Sequence, residues 1–362
     1  MNLNLGVSVK IALSADVHLT SLGLHPERFH ALENILSQMK EEEIDTLFIA
    51  GDLFDNSLRN YSEFESLCKK KDYRDLQLYI IPGNHDPEIS TSSLVADNAR
   101  IFTEPEVVEI NNKDTPLLMI PYQKGKTMGE VIAHFSLDLA PRPWILIGHG
   151  DWSEGLRQAN PYEPGVYMPL TSRDIDRYQP LQVFLGHIHA PYDSGRIHYT
   201  GSPCGLDITE TGKRRFLIYD IAKDEIASRE VGTDVIYFDE TLVMLPMENE
   251  SAFVYDLVKK VIQSWNITDW DRKKVRARVN VRGYCSNKSA LEKELRKDFS
   301  DFNFYGDEGP DLSGVSISND IERRYIAEKV KTSIDELEWP ESADEPDKDE
   351  VLQAALAVIY GD

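Results

Sequence analysis

Five times along the chain a short apolar run stops at a small residue and hands over to side chains that bind metal ions or protons. Val7 to Leu13 leads into Ser14-Ala15-Asp16-Val17-His18, Thr46 to Ala50 into Gly51-Asp52-Leu53-Phe54-Asp55, and Leu78 to Ile81, through Pro82, into Gly83-Asn84-His85-Asp86. Trp144 to Ile147 leads into Gly148-His149, and Val183 to Leu185 into Gly186-His187-Ile188-His189. Continuous apolar runs of this length suit strands buried on both faces, whereas a sheet with one wet face would alternate. Phe29, Leu32, Ile35, Leu36 and Met39, spaced by three and four, predict a helix after the first strand. Strands and helices in this order predict a layered α/β fold, in which the loops leaving the carboxyl ends of the strands gather on one rim. Residues far apart in sequence then share a cleft. Gly51, Gly83, Gly148 and Gly186 allow a close backbone approach that a Cβ would obstruct.

What converges there is Asp16, His18, Asp52, Asn84, His149, His187 and His189. These are oxygen and imidazole donors without thiolate, a set suited to manganese, iron, zinc or magnesium. Seven ligands are too many for one ion. Two ions about 3.5–4 Å apart, sharing one carboxylate, would use them all and form the clamp typical of phosphoryl hydrolysis. Asp52, central and isolated in its loop, is the natural bridge.

The net charge of −23 runs against a nucleic-acid enzyme, because phosphate binding normally leaves a basic footprint. The excess is unevenly placed: from Asp298 to Asp362 there are 18 acidic and 5 basic residues, a net −13. Bound divalent cations also supply positive charge, so acidity does not exclude DNA as a substrate. With 362 residues, 41% of them hydrophobic, and no apolar stretch of about 18, the chain reads as a soluble protein of two domains without a membrane span. The N-terminal residues lack the features of a secretory signal. Cys68, Cys204 and Cys285 show no paired spacing and read as core thiols of a cytoplasmic protein.

The ordered set DxH, GDxxD, GNHD, GH and GHxH resembles the calcineurin-like metallophosphoesterase superfamily, over roughly residues 7 to 220. The resemblance implies a β-sandwich flanked by helices. It implies one ion on Asp16, His18, Asp52 and His189 and a second on Asp52, Asn84, His149 and His187, with manganese the favoured metal. It further implies an acidified water as nucleophile, His85 as general acid for the leaving oxygen and Asp55 as the carboxylate that orients it. Asp86 reads as a loop cap bonded to backbone amides. The arginine and GNHE motif of phosphoprotein phosphatases are absent, since the second motif continues as Asn56-Ser57. Tyr199-Thr200-Gly201-Ser202-Pro203, with Ile120-Pro121-Tyr122, Glu210, Gly212 and Lys213, is similar instead to SbcD-type nuclease subunits of double-strand-break repair. Val17 stands where such proteins often carry tryptophan. Asp55 stands where archaeal and eukaryotic relatives tend to carry histidine, so the implied kinship is bacterial or phage.

On this reading residues 1–238 form the nuclease domain, 239–314 a small α+β capping domain, and 315–362 a helical segment. In the cap, a helix near 250 to 265 precedes the alternating strand Val275 to Arg282, and a second helix spans about Ser289 to Phe299. Arg276, Arg278 and Arg282 share the outward face of that strand, as phosphate contacts or as a solvated surface. Ser202, Lys213 and Arg214 are further candidate DNA contacts, whereas Lys69-Lys70-Lys71 reads as a solvated helix face. Two amphipathic segments follow, Asn319 to Glu338 and Asp349 to Tyr360, joined by the acidic stretch from Trp339 to Pro346. The stripe of Val351, Leu352, Ala355, Leu356 and Ile359 needs cover. In SbcD-like proteins such helices grip the coiled coil of an SMC-like ATPase, the SbcC type. The alternative is packing on this chain's own body. The function expected is a metal-dependent DNA exonuclease or endonuclease subunit, with DNA, the ATPase and a second copy as partners. The alternatives are a phosphodiesterase for cyclic nucleotides or other small diesters, and a metal-stabilised scaffold.

Overall fold

The computed structural model describes residues 10–55, 61–90, 94, 96–110, 115–139, 141–153, 165–339 and 346–360. The first expected strand is therefore seen from Lys10 onward, and most of the acidic linker, 340–345, lies outside the described residues. The chain divides into two compact units. The first runs to Leu206 and adds Lys213–Asp234; the second takes Asp207–Gly212 and the chain from Val235.

The first unit is built from β1 (Lys10–Ser14), α1 (Pro26–Glu41), β2 (Thr46–Ala50), α2 (Tyr61–Cys68), β3 (Gln77–Ile81), β4 (Ala99–Ile101), β5 (Glu106–Val108), β6 (Leu117–Ile120), α3 (Met128–Leu139), β7 (Ile145–His149), α4 (Ser172–Tyr178), β8 (Gln182–Gly186), β9 (Tyr192–Ser194), β10 (Ile197–Tyr199), β11 (Arg215–Asp220) and β12 (Glu225–Glu230). They form two six-stranded sheets, ordered β12-β11-β1-β2-β3-β4 and β5-β6-β7-β8-β10-β9. β1 to β4 are parallel, as are β6, β7, β8 and β10, with antiparallel strands only at the flanks. The sheets face each other across Leu13, Phe48 and Ile81 from one and Met119, Ile147 and Phe184 from the other. Period-two alternation then sends Leu118, Ile120, Leu146 and Leu185 the other way, into a second core with Met128, Val131 and Ile132 of α3. Both faces being covered, every residue of β2, β6 and β7 is buried. This is the physical reason for the unbroken apolar runs.

The second unit carries β13 (Ile236–Met244), α5 (Glu250–Ser264), β14 (Val275–Cys285), α6 (Lys288–Asp298), β15 (Asn303–Phe304), β16 (Asp311–Ile317), α7 (Ile321–Glu336) and α8 (Lys348–Tyr360). Its strands pair in parallel with β14 central. Val275, Ala277, Val279 and Val281 point into a core with Val254 and Val258 of α5 and Leu291 and Leu295 of α6. The opposite side is occupied by α7 and α8: Leu352, Leu356 and Tyr360 pack with Ala327, Ile334, Val243 and Leu245, and the Tyr360 ring stacks on Tyr284 at 4.2 Å. The apolar stripe of α8 is thus covered within its own unit.

Candidate metal centre

The register of the parallel strands brings their carboxyl ends level: Ser14 pairs with Ile49, Ala50 with Ile81, and His149 with Gly186. The exit loops of β1 and β2 then run side by side, with Asp16 N donating to Gly51 O at 3.0 Å and His18 N to Asp52 O at 3.0 Å. Asp16, His18, Asp52 and His187 all adopt positive φ, at 53°, 49°, 50° and 99°. For non-glycine residues this region costs on the order of 1 kcal/mol or more each, strain that concentrates at functional sites. At Gly51, with φ 93°, an added Cβ would lie 2.0 Å from His149 Nδ1, and at Gly83 it would lie 2.1 Å from Asp52 Oδ1. Gly148 differs from the expectation of close backbone approach, because a Cβ there would meet first the flexible Met128 side chain at 3.2 Å.

The seven expected ligands come together, with donor atoms in two overlapping clusters. In one, Asn84 Oδ1 is 2.8 Å from His149 Nε2 and 3.0 Å from His187 Nδ1, and His149 Nε2 is 3.3 Å from Asp52 Oδ2. In the other, His18 Nε2 is 3.1 Å from His189 Nε2 and 3.8 Å from Asp52 Oδ2. Asp16, His18 and His189, and likewise Asp16, Asp52 and His149, present donor atoms all within 4.8 Å of one another. Asp52 belongs to both clusters. Its Oδ1 accepts from His85 N at 2.7 Å, while its buried Oδ2 has no hydrogen-bond partner among the described residues. A buried carboxylate oxygen facing imidazole nitrogens is costly unless a cation or proton compensates it, so the residues fit divalent ions. His149 Nδ1 donates to Ala50 O at 2.9 Å, which leaves Nε2 with a free lone pair when the ring is neutral.

The charges respond as such crowding requires. Burial drives the His18 pKa down to about 3. Burial would lower His149 too, but the neighbouring Asp52 carboxylate outweighs it and lifts His149 to about 9. Asp52 is held well below the carboxylate range because His149 and His18 outweigh its burial, while burial pushes Asp16 up to about 6.

The model of the calcineurin-like phosphoesterase family matches residues 9–204, more than half of the chain. The protein is a calcineurin-like phosphoesterase. Among curated relatives of this phosphoesterase, the SbcD component of the nuclease SbcCD from Staphylococcus saprophyticus is 24% identical over 258 residues, covering 61% of this chain and 68% of the relative. Its counterpart from Staphylococcus epidermidis is 24% identical over 257 residues, covering 60% and 67%. A solved archaeal phosphodiesterase aligns over 61% of this chain and 99% of its own at 16% identity, with a TM-score of 0.33, too slight a likeness to argue from.

Around the phosphoesterase centre stands a set of supports. Asp86, fully buried, accepts from Gly83 N at 2.8 Å and Phe54 N at 3.1 Å, joining the loop of Asn84 and His85 to the loop of Asp52. His85 lies edge-on to His18, ring centroids 4.7 Å apart. His85 also forms a donor group with His18 and Asp52, so it sits against the expected ligands. Asp55 is 3.3 Å from Arg28 Nη1; burial would raise its pKa, but His18, Arg28 and His85 hold it down. Arg28, buried in the first turn of α1, also donates to His18 O at 2.6 Å.

The expected DNA contacts divide. Ser202 and Arg214 turn inward: Arg214 donates to Ser202 O at 2.9 Å, to Ser202 Oγ at 2.6 Å and to His189 O, so it braces the GHxH loop from inside the unit. Lys213 pairs with Glu230 at 3.0 Å. In the second unit Arg278 pairs with Asp239 at 3.2 Å, and Arg276 donates to the carbonyls of Lys273 and Val275. Sequence reasoning missed Arg28, Asp151 and Tyr167. The ring of Tyr167 lies 4.6 Å from that of His187. Nothing in residue type or spacing marks Arg28 or Tyr167, whereas Asp151 was detectable as the carboxylate two places after His149.

Proposed function

We propose that this phosphoesterase is a DNA nuclease subunit that hydrolyses phosphodiester bonds at a two-ion centre. The observation that carries the reading is the shared position of Asp52 between two donor clusters, one with Asn84, His149 and His187 and one with Asp16, His18 and His189. Divalent ions held there, most simply Mn²⁺, would neutralise charge building on the phosphoryl oxygens and generate the nucleophile from water near neutral pH. His85, anchored through its backbone N–H to Asp52, donates a proton to the leaving oxygen, and Asp55, itself held by Arg28, sets the field around that imidazole. The curated relatives, nuclease subunits by name, favour a nucleic acid over a small diester.

The same likeness supports an SMC-like ATPase of the SbcC type and a second copy of this chain as partners, in the cytoplasm. Among the described residues no helix is long and apolar enough to cross a membrane. With the stripe of α8 covered, the apolar surface left for a partner on the C-terminal helices includes, among the described residues, Ile321, Tyr325, Ile326 and Val358, each at least half exposed. Arg276 and Arg278 of the second unit remain the candidate phosphate contacts. The full-length chain with Mn²⁺ is expected to degrade linear double-stranded DNA faster than a small nucleotide diester. His85→Asn should slow it by about 10²–10⁴-fold with both ions still bound. Turnover of the small diester alone would make the protein a small-molecule phosphodiesterase, the reading its net charge of −23 favours. No metal-dependent hydrolysis of either would leave a scaffold.

A further inference from the structure

The two imidazoles beside Asn84 are held from behind in different ways. His149 directs Nδ1 at a backbone carbonyl, Ala50 O at 2.9 Å. His187 turns the other nitrogen inward: Nδ1 is 3.0 Å from Asn84 Oδ1, and Nε2 faces Asp151 Oδ1 at 3.7 Å, with side chains only 3% and 5% exposed. We infer that Asp151 is a positioning residue for His187: when an ion replaces the proton by which Nδ1 faces Asn84 Oδ1, this buried carboxylate favours the ring proton on Nε2 and so leaves the Nδ1 lone pair for the ion that Asp52, Asn84 and His149 would share. The inference rests on the two-ion reading above.

Asp151 is built to stay where it is. Its Oδ2 accepts from Tyr167 N at 2.7 Å, its own N–H donates to Tyr167 O at 2.8 Å, and its carbonyl accepts from Leu170 N at 2.8 Å. The ring of Tyr167 lies against His187, with centroids 4.6 Å apart and planes inclined by 40°. The imidazole is therefore backed on one edge by Asp151 and bordered on a face by Tyr167, two residues hydrogen-bonded to each other. A separation of 3.7 Å is longer than a direct hydrogen bond, so the carboxylate acts through its field. In a buried setting that field favours an N–H dipole pointing toward it over one pointing away. Carboxylates behind ligating histidines fix the tautomer and raise ligand basicity, and losing one typically costs about 10–100-fold in metal affinity.

Mn²⁺ binding to the full-length protein, followed through the EPR signal of the free ion, tests this. Wild type should bind two ions. Asp151→Asn, which retains an oxygen for Tyr167 N, should bind one ion as wild type does and the other about 10–100-fold more weakly, with metal-free melting unchanged. Two ions bound with wild-type affinities by Asp151→Asn would overturn the role of Asp151 alone. Failure of wild type to bind two would remove the two-ion reading and this inference with it. A readout free of any folding defect in the variant is the ¹⁵N-histidine spectrum of wild type loaded with the diamagnetic ion Zn²⁺. His187 should carry its proton on Nε2, and a proton mainly on Nδ1 would overturn the assignment.

Discussion

Replacing Asp86 by alanine removes the acceptor from two buried backbone amides at once, Gly83 N at 2.8 Å from Oδ1 and Phe54 N at 3.1 Å from Oδ2. Each orphaned buried donor costs about 1–3 kcal/mol, which gives about 2–6 kcal/mol for the pair. Part is returned because Asp86 is itself destabilised in place: burial and the nearby Asp52 push its pKa up to about 6. A net loss of about 1–3 kcal/mol is expected, and roughly half of that for Asp86→Asn, which keeps one acceptor oxygen. Urea unfolding of the metal-free protein measures it, with the denaturant slope checked for constancy. Because Asp86 joins the loops of Asp52 and Asn84, ion binding should weaken along with stability. A stable Asp86→Ala protein, within about 0.5 kcal/mol of wild type but inactive, would refute the capping role and make Asp86 a participant in the chemistry.

Gly51→Ala places a Cβ 2.0 Å from His149 Nδ1 at a φ of 93°, so a loss of at least about 2–3 kcal/mol in unfolding free energy is expected, together with an ion. Arg214→Met removes the buried donor of the Ser202 carbonyl and one of two donors to the His189 carbonyl, which keeps Ser202 N at 3.1 Å; about 1–3 kcal/mol should be lost, and calorimetry should show weaker ion binding at the His189 side. Because Asp52 raises His149 from 6.5 to about 9, the stabilisation from protonated His149 is fully present below pH 6.5 and disappears as pH rises through 9. Metal-free protein should therefore lose on the order of 3 kcal/mol across that window, a decline that urea titrations of His149→Gln should lack.

The ligand loops were legible because each has a local signature, an apolar run ending in a small residue and a donor, and the chain needs no long-range information to write it. The order of the strands was not legible, since β10 follows β9 in sequence yet pairs with β8 as well, a choice made by packing across the two sheets. The stripe on α8 was visible, but its cover, Val243 and Leu245 far back along the chain, was not. Arg214 illustrates the remaining gap. In the run Lys213-Arg214-Arg215 it has the look of a surface cation, but its partners include two carbonyls and a hydroxyl that no residue pattern announces. Arg28 is hidden for the same reason, because the group it holds is the backbone of His18.

Anomalous diffraction at the manganese edge from crystals of the metal-loaded protein is the most direct test of the shared position of Asp52. Two peaks about 3.5–4 Å apart, both within coordination distance of Asp52 and one each beside His189 and Asn84, are expected. A single peak, or two that do not share Asp52, would contradict the account.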